Sequence, residues 1–318
     1  MNTDSIIVTG GAGFIGSHVV DALLDEGAEV VVIDDLSTGA AERVADGASL
    51  EVVDIAAKGA VDRVVDAVRP RSIYHLAAQS SVTRSVADPQ YDCSVNVGGT
   101  LNLLEAAKRH HASLIFTSTG GALYGNRAPI PTPEEAPPAP IAPYGASKWA
   151  GEAYVLTWSE AHSVAHVVCR LGNVYGPRQS PHGEAGVVAI FSYHLWRRTP
   201  PTIYGFGSPT RDYVHVVDVA RALIAADGKQ GVFNVASGVE TDVKGLFDEL
   251  QEHAHVSLEP VLVPLRPGEL ERSCMDPSKA QRELGWSTEI LLGDGLRETY
   301  RALVDEFELA AHSGRGGD

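Results

Sequence analysis

Tyr144 and Lys148, in the stretch PYGASKW, stand four residues apart. On a helix that spacing puts a phenol and an ammonium on one face, one turn apart. A neighbouring ammonium favours tyrosinate and draws the phenol's pKa down toward working pH, which makes the pair a device for moving a proton. No other pair in the chain offers a comparable acid–base device. Some twenty residues earlier, TSTGGALYG follows the apolar run SLIF and places Ser118 and Thr119 where a strand would end. Hydroxyls at a strand end can touch a reacting oxygen. The glycines behind them, Gly120 and Gly121, have no side chain to donate or accept a proton. His182, in SPHGEAG, has nothing to orient it for acid–base work and reads as a loop contact.

A second constellation lies at the N-terminus. The strand-like SIIVTG runs into Gly10-Gly11-Ala12-Gly13-Phe14-Ile15-Gly16 just before a helical stretch. Gly10 and Gly13 permit a tight turn and close backbone approach to a pyrophosphate, and Gly16 lets the helix pack on the strand. The helix N-terminus then faces the phosphates. The next strand, EVVVID, ends on Asp34 and Asp35, about twenty residues on, where a carboxylate can take the hydroxyl pair of an adenosine ribose. Two acidic residues with no adjacent arginine would repel a 2′-phosphate, so the expected cofactor is NAD rather than NADP. Asp54, closing the third strand, reads equally as an acceptor for the adenine amino group or as a turn residue. Lys148 is placed to hold the nicotinamide ribose, and the positive nicotinamide ring would join its ammonium in stabilising a tyrosinate at Tyr144.

These groups need elements that hold them still. SIIVTG, EVVVID, SLEVVD, SIYHLAA, SLIFTST and AHVVCRL alternate with helical stretches, expected from Gly16 to Glu26, near Val61 to Val68 and near Val97 to His110. Short, β-branched, nearly continuous apolar strands between helices predict an α/β fold, a doubly wound Rossmann-type parallel sheet buried on both faces. Residues 128–143, APIPTPEEAPPAPIAP, carry seven prolines and read as a structured loop at the sheet's ligand-facing edge. After Asn173 the chain becomes loop-rich, and the alternating pattern returns in YVHVVDVARALIAA and GVFNVAS. The expected division is a dinucleotide-binding domain of residues 1–172 plus about 214–236, a smaller C-terminal α/β lobe of about 173–213 plus 237–310, and a flexible tail of 311–318.

The bulk properties narrow the function classes. A net charge of −16 argues against a nucleic-acid or anionic-membrane surface as partner. Cys93, Cys169 and Cys274 lie far apart without CxxC spacing, which suits neither a disulfide framework nor a metal site. No apolar run approaches the roughly 18 residues of a membrane span. The expectation is a soluble cytoplasmic protein.

The glycine loop, Asp34, Thr119 and the Tyr144/Lys148 pair together resemble an extended short-chain dehydrogenase/reductase, and more narrowly the UDP-glucose (UDP-galactose) 4-epimerase family. The resemblance runs from about residue 5 to about residue 300. It rests on TGGAGFIGSH, DDLSTG, HLAAQ, SVADPQYDCSVNVGGTLNLLEAA, STGGALYG, PYGASK, GNVYGPRQSPHGEAGVVAIF, TRDYVHVVDVA and RPGELERSCMDPSKAQRELGW. It implies a reversible redox cycle on one retained NAD, in which a 4-keto sugar forms, turns over and is reduced on its other face. By this resemblance Tyr144 takes the proton of the 4-hydroxyl and Thr119, with Ser118 beside it, touches the 4-oxygen. Phe14, Ile15, Ser37, Thr38, Gly39, Ile55, Leu76, Ala77, Ala78, Gln79 and Asn96 would line the cofactor. Asn173, Arg211 and Arg266 would meet the diphosphate, Val187 the nucleotide sugar, Tyr204 the uracil and Glu269 the ribose. Ser273, seven residues after Arg266, would border the hexose 2-position, where a small side chain leaves room for an N-acetyl group. The resemblance also suggests a homodimer paired through helices at 97–110 and 145–160.

Related dehydratases carry an Asp-Glu pair directly after the threonine, because elimination needs both an acid and a base. Gly120 and Gly121 occupy those places, which disfavours elimination. A UDP-uronic acid epimerase or decarboxylase stays open. So does a non-catalytic NAD(H) sensor, although such a protein would be expected to have lost Thr119, Tyr144 or Lys148.

Overall fold

Every residue of the first strand, β1 (Ser5–Thr9), is buried, as a run without polar alternation requires when both sheet faces are covered. The computed structural model describes residues 5–182, 186–266 and 269–312. After β1 come α1 (Phe14–Asp25), β2 (Glu29–Asp34), β3 (Ser49–Val52), α2 (Lys58–Val68) and β4 (Ser72–His75). Two short helices, α3 (Val82–Ala87) and α4 (Pro89–Cys93), lead through a π-helical turn, Ser94–Gly99, into α5 (Thr100–His110). Then follow β5 (Ser113–Thr119), α6 (Pro143–His162), β6 (His166–Leu171), β7 (Asn173–Tyr175), α7 (Val187–Arg197), β8 (Thr202–Tyr204) and β9 (Thr210–His215). The chain ends with α8 (Val216–Ala225), β10 (Gly231–Val235), β11 (Glu240–Asp242), α9 (Val243–Ala254), β12 (Val261–Val263), α10 (Ser278–Leu284) and α11 (Leu292–His312).

Seven strands form one parallel sheet in the order β10-β6-β5-β4-β1-β2-β3. The order reverses between β1 and β4, so the crevice at the carboxyl ends of those strands is the topological switch point where such sheets bind ligands. This is the expected doubly wound α/β fold. Val19, Val20 and Leu23 of α1 and Val219 and Leu223 of α8 cover one face. Val61 and Val65 of α2, Leu103 and Leu104 of α5, and Val155 of α6 cover the other. A separate apolar cluster joins Phe191 and Leu195 of α7, Phe247 and Leu250 of α9, and Leu296 of α11. Beside it lie a three-stranded sheet, β11-β9-β7, and the pair β12-β8. Ala280 and Trp286, from a stretch expected in the second lobe, pack into the first cluster.

The structure departs from the sequence reading at three helix ends. α1 begins two residues early, directly after Gly13. The expected helix from Val97 opens instead as a π-helical turn, which brings the Asn96 side chain inward to Gln79. At Gly99 a Cβ would lie 2.6 Å from Ile55 Cδ1, so a larger residue there would have to displace the Ile55 side chain. At the C-terminus α11 carries Ala311 and His312 as helix rather than tail, and 313–318 lie outside the described residues. The proline segment is a loop. It is anchored where Thr132 N–H donates to the Cys274 carbonyl and Asp276 N–H to the Thr132 carbonyl, each at 2.9 Å.

Candidate active site

Because the seven strands run in parallel, their carboxyl ends gather the glycine loop, Asp34, Leu76–Gln79 and Thr119 at one edge. Gly10 has φ +73°, and a Cβ there would come within 2.6 Å of Ala77 N. A Cβ on Gly16 would overlap the Gly10 carbonyl, and one on Gly39 would lie 2.9 Å from the Ala12 carbonyl. These glycines let the turn's backbone pack closely against its neighbours. α1 starts at Gly13 with no side-chain cap and no acid in its first turn, which leaves its N–H groups and dipole for an anion. Asp34 is buried, and its carboxylate accepts Ala12 N–H at 3.0 Å and Leu36 N–H at 2.9 Å. It thus ties the glycine loop to the loop after β2. Asp35 is exposed and accepts from Ser37 N–H and Oγ–H at 2.9 and 2.6 Å. Asp54 is also exposed and accepts Ala56 N–H at 2.8 Å, the geometry of a turn residue. Phe14, Ile15, Leu76, Ala77 and Ala78 are half-buried along this edge, Ile55 is buried, and Thr38 is exposed. A glycine cradle, an uncapped helix and a fixed carboxylate at the second strand's end fit a dinucleotide.

Tyr144 and Lys148 share one face of α6. The Tyr144 N–H donates to Ser85 Oγ at 3.1 Å, and the Thr119 side chain draws the pKa of the Tyr144 hydroxyl down. Thr119 Oγ1 also accepts Ala122 N–H at 3.2 Å. Ser118, one residue earlier, points the other way, and its buried Oγ has no partner. Lys148 is buried, with Nζ 4.3 Å above the centre of the Phe116 ring. Burial and then the Asp92 carboxylate push Tyr144 up to about 12, against a smaller pull from Thr119. Burial lowers Lys148 to about 8, with Glu152 and Asp92 opposing it. In the protein alone, burial thus disfavours the tyrosinate.

Asp92 is the residue that the motifs did not single out. It is 1% exposed and accepts from Gln79 Nε2 at 2.8 Å and Asn96 Nδ2 at 3.1 Å. Asn96 further exchanges hydrogen bonds with the Gln79 backbone at 2.9 Å and donates to Ser147 Oγ at 3.0 Å. Its place four residues before Asn96 is the only signal the sequence carries.

On the other side of Thr119 a cavity of about 230 Å³ is lined by Gly120, Tyr124, Gly125, Ser273 and Met275, among others. Two arginines lie further out. Arg211 donates to the Thr210 carbonyl at 2.8 Å, and burial lowers its pKa, with Tyr213 and Glu269 opposing. Arg266 is exposed, stacks 4.2 Å from the Tyr204 ring centre and is paired with Glu269 at Nε–Oε1 2.7 Å. The structure thus ties Arg266, Glu269 and Tyr204 to one another, while Asn173 lies at the start of β7 and Val187 at the start of α7. His182 packs edge-on against Tyr193, with ring centres 5.4 Å apart. Among the described residues no group of His, Cys, Asp and Glu could hold a metal ion, and no helix is long and apolar enough to cross a membrane.

Residues 6–236 match the NAD dependent epimerase/dehydratase family. The chain belongs to that family. The expected likeness to UDP-glucose 4-epimerases within it holds over nearly the whole length. A UDP-glucose 4-epimerase of Mycolicibacterium smegmatis is 42% identical over 92% of this chain and 96% of its own. The crystal structure of a UDP-glucose 4-epimerase with UDP-glucose from Thermotoga maritima superposes with a TM-score of 0.92 at 42% identity, covering 95% of this chain and 99% of that one. That of Thermus thermophilus in complex with NAD gives 0.88 at 42% identity, covering 94% and 98%. Membership makes the chain an NAD-dependent enzyme, in agreement with the glycine cradle and Asp34.

Proposed function

We propose that this enzyme interconverts the C4 epimers of a UDP-hexose, UDP-glucose and UDP-galactose, and also the N-acetylated pair, through a transient 4-keto sugar. The observation that carries the reading is the Tyr144/Lys148 pair one turn apart on α6, its phenol acted on by the Thr119 side chain, with a glycine at position 120. Bound NAD supplies the acceptor and then the donor of the C4 hydride. Tyr144 takes the proton of the 4-hydroxyl and returns it, and Thr119 holds the 4-oxygen against it. Lys148, together with the positive nicotinamide ring of bound NAD⁺, would stabilise the tyrosinate form of Tyr144 that takes this proton, and Lys148 holds the nicotinamide ribose. Asp34 and Asp35 take the adenosine ribose, and Gly10, Gly13 and Gly16 admit the pyrophosphate.

Arg211, Arg266 and Asn173 bind the diphosphate of the substrate, a role suited to planar guanidinium groups in an acidic protein. Tyr204 and Glu269 take the uridine, which requires the Arg266–Glu269 pair to open or to be shared. The cavity beside Ser273 takes the 2-substituent. Holding the diphosphate while leaving the hexose few fixed contacts lets the keto sugar present either face. Product analysis on UDP-hexoses tests this directly, and a UDP-pentose formed from a UDP-uronic acid would instead identify a decarboxylase.

We also propose a homodimer. Trp149 and Tyr154 of α6 are 45% and 40% exposed, an apolar surface beside α5 that a second copy would cover. The test is sedimentation of wild type against Trp149→Asp/Tyr154→Asp. A variant that sediments like wild type removes this interface.

A further inference from the structure

α6 opens without a cap of its own. Ala142 at its N-cap has no side-chain oxygen, and proline follows in the first turn. The leading N–H groups of a helix have no intrahelical partner, and a hydroxyl or carboxylate placed at the start takes one of them. Here the oxygen comes from another element. Ser85 of α3, 59 residues away in sequence, accepts the Tyr144 N–H at 3.1 Å. Ser85 is 0% exposed, and its hydroxyl donates onward to the Val82 carbonyl at 2.7 Å. The peptide group on the other side of Tyr144 is held too: Ser147 Oγ donates to the Tyr144 carbonyl at 3.0 Å and accepts from Asn96 Nδ2 at 3.0 Å. α3 is anchored in turn by Gln79, shortly after β4. Gln79 Oε1 accepts the Ser81 N–H at 2.8 Å, and Nε2 donates to the Ser81 carbonyl at 2.9 Å and to Asp92 Oδ1 at 2.8 Å. Ser81 then caps α3, accepting the Arg84 N–H at 2.9 Å. A run of fixed contacts therefore leads from the sheet edge through α3 to the backbone of Tyr144.

We propose that Ser85 is a positioning residue for the proton-transfer tyrosine: it caps α6 from outside and fixes the Tyr144 backbone against the cofactor edge of the sheet. This rests on Tyr144 being that tyrosine. The phenol oxygen sits at the far end of the side chain, so a small swing of the first turn of α6 displaces it further than the backbone itself. Proton transfer needs the two oxygens within hydrogen-bond reach, and a misplacement of about 1 Å costs on the order of a hundredfold in rate. Lys148 lies one turn further into the helix, and the glycine loop and Asp34 belong to other elements. The hold on NAD therefore does not depend on Ser85.

The test variant is Ser85→Ala, studied as holoenzyme. Its kcat should fall about ten- to a hundredfold, with KM for the UDP-sugar and the bound NAD unchanged. Ser192→Ala deletes an equally buried hydroxyl, one that donates within α7 to the Val188 carbonyl at 2.8 Å, and should leave kcat alone. The chain has ten tyrosines, so nitrogen-15 labelling of tyrosine gives a sparse NMR spectrum, with Tyr144 assigned by its loss in Tyr144→Phe. Hydrogen exchange at the Tyr144 amide should quicken about five- to tenfold in Ser85→Ala, the scale of a lost cap. An unmoved kcat in Ser85→Ala, an equal fall in Ser192→Ala, or an unmoved exchange rate overturns the proposal. Exchange needs no turnover, so a wild type that epimerises nothing would sink the proposed function while the amide still decides whether Ser85 holds Tyr144.

Discussion

Met275 fills the space that a side chain at position 120 would need: a Cβ on Gly120 would overlap the Met275 thioether. Met275 is 1% exposed, in the wall of the cavity beside Thr119. The absence of an acid after the threonine is thus built into the packing on both sides of the contact. An acid placed at 120 would first have to displace a buried methionine.

Gly120→Ala should therefore destabilise the fold by about 1–3 kcal/mol through overpacking. Met275→Ala should cost about 2–5 kcal/mol through the cavity it leaves. Combined, the new methyl enters the new space, and the double variant should lose less than the sum of the two. Denaturant unfolding checks this. Costs that simply add would mean the two positions do not meet.

Tyr144→Phe keeps the ring and removes the proton carrier. Turnover should fall about a hundred- to ten-thousand-fold while NAD stays bound, since the glycine loop and Asp34 are untouched. Steady-state rates and the absorbance of bound cofactor report the two quantities separately. Turnover at the wild-type level would remove Tyr144 from the chemistry.

Lys148 makes stability depend on pH in a defined sense. Its folded value is lowered to about 8 from an ordinary 10.5, so between those values the unfolded chain binds more protons. Stability then rises with pH across that window, and below about 8 the buried ammonium costs the fold on the order of 3 kcal/mol. Lys148→Met should be more stable than wild type at pH 7, and the gap should close as pH rises from 8 to 10.5. Urea unfolding at several pH values measures it. A pH-independent gap would contradict the burial argument.

Ser273→Tyr should fill the cavity next to the 2-position. Activity on the N-acetylated pair should drop at least about tenfold relative to the plain hexoses, the scale at which one pocket group discriminates. Competing turnover of the two substrates gives the ratio directly, and an unchanged ratio would place the N-acetyl group elsewhere.

Most of the frame was legible because its signals are local. Buried parallel strands leave continuous apolar runs such as SIIVT, and the turn after β1 admits only glycine at Gly10 and Gly16. The four-residue step from Tyr144 to Lys148 survives intact on α6. What escaped depends on partners distant in sequence. Asp92 matters because Gln79 and Asn96 close on it, and Glu152, Arg170 and Tyr124 meet only once β6 packs under α6. The π-helical turn at Asn96 has no periodicity to reveal it. At Tyr144, spacing shows the nearby ammonium but not the burial of both groups.

The central claim is inversion at C4 on a retained cofactor, and one measurement tests it most directly. Purified protein, with no NAD added, is given UDP-glucose, and the products are resolved by proton NMR. The account requires UDP-galactose to appear and approach a fixed ratio from either epimer, with no net NADH released. Unchanged substrate from a protein that carries NAD, or a product that has lost water, would contradict it.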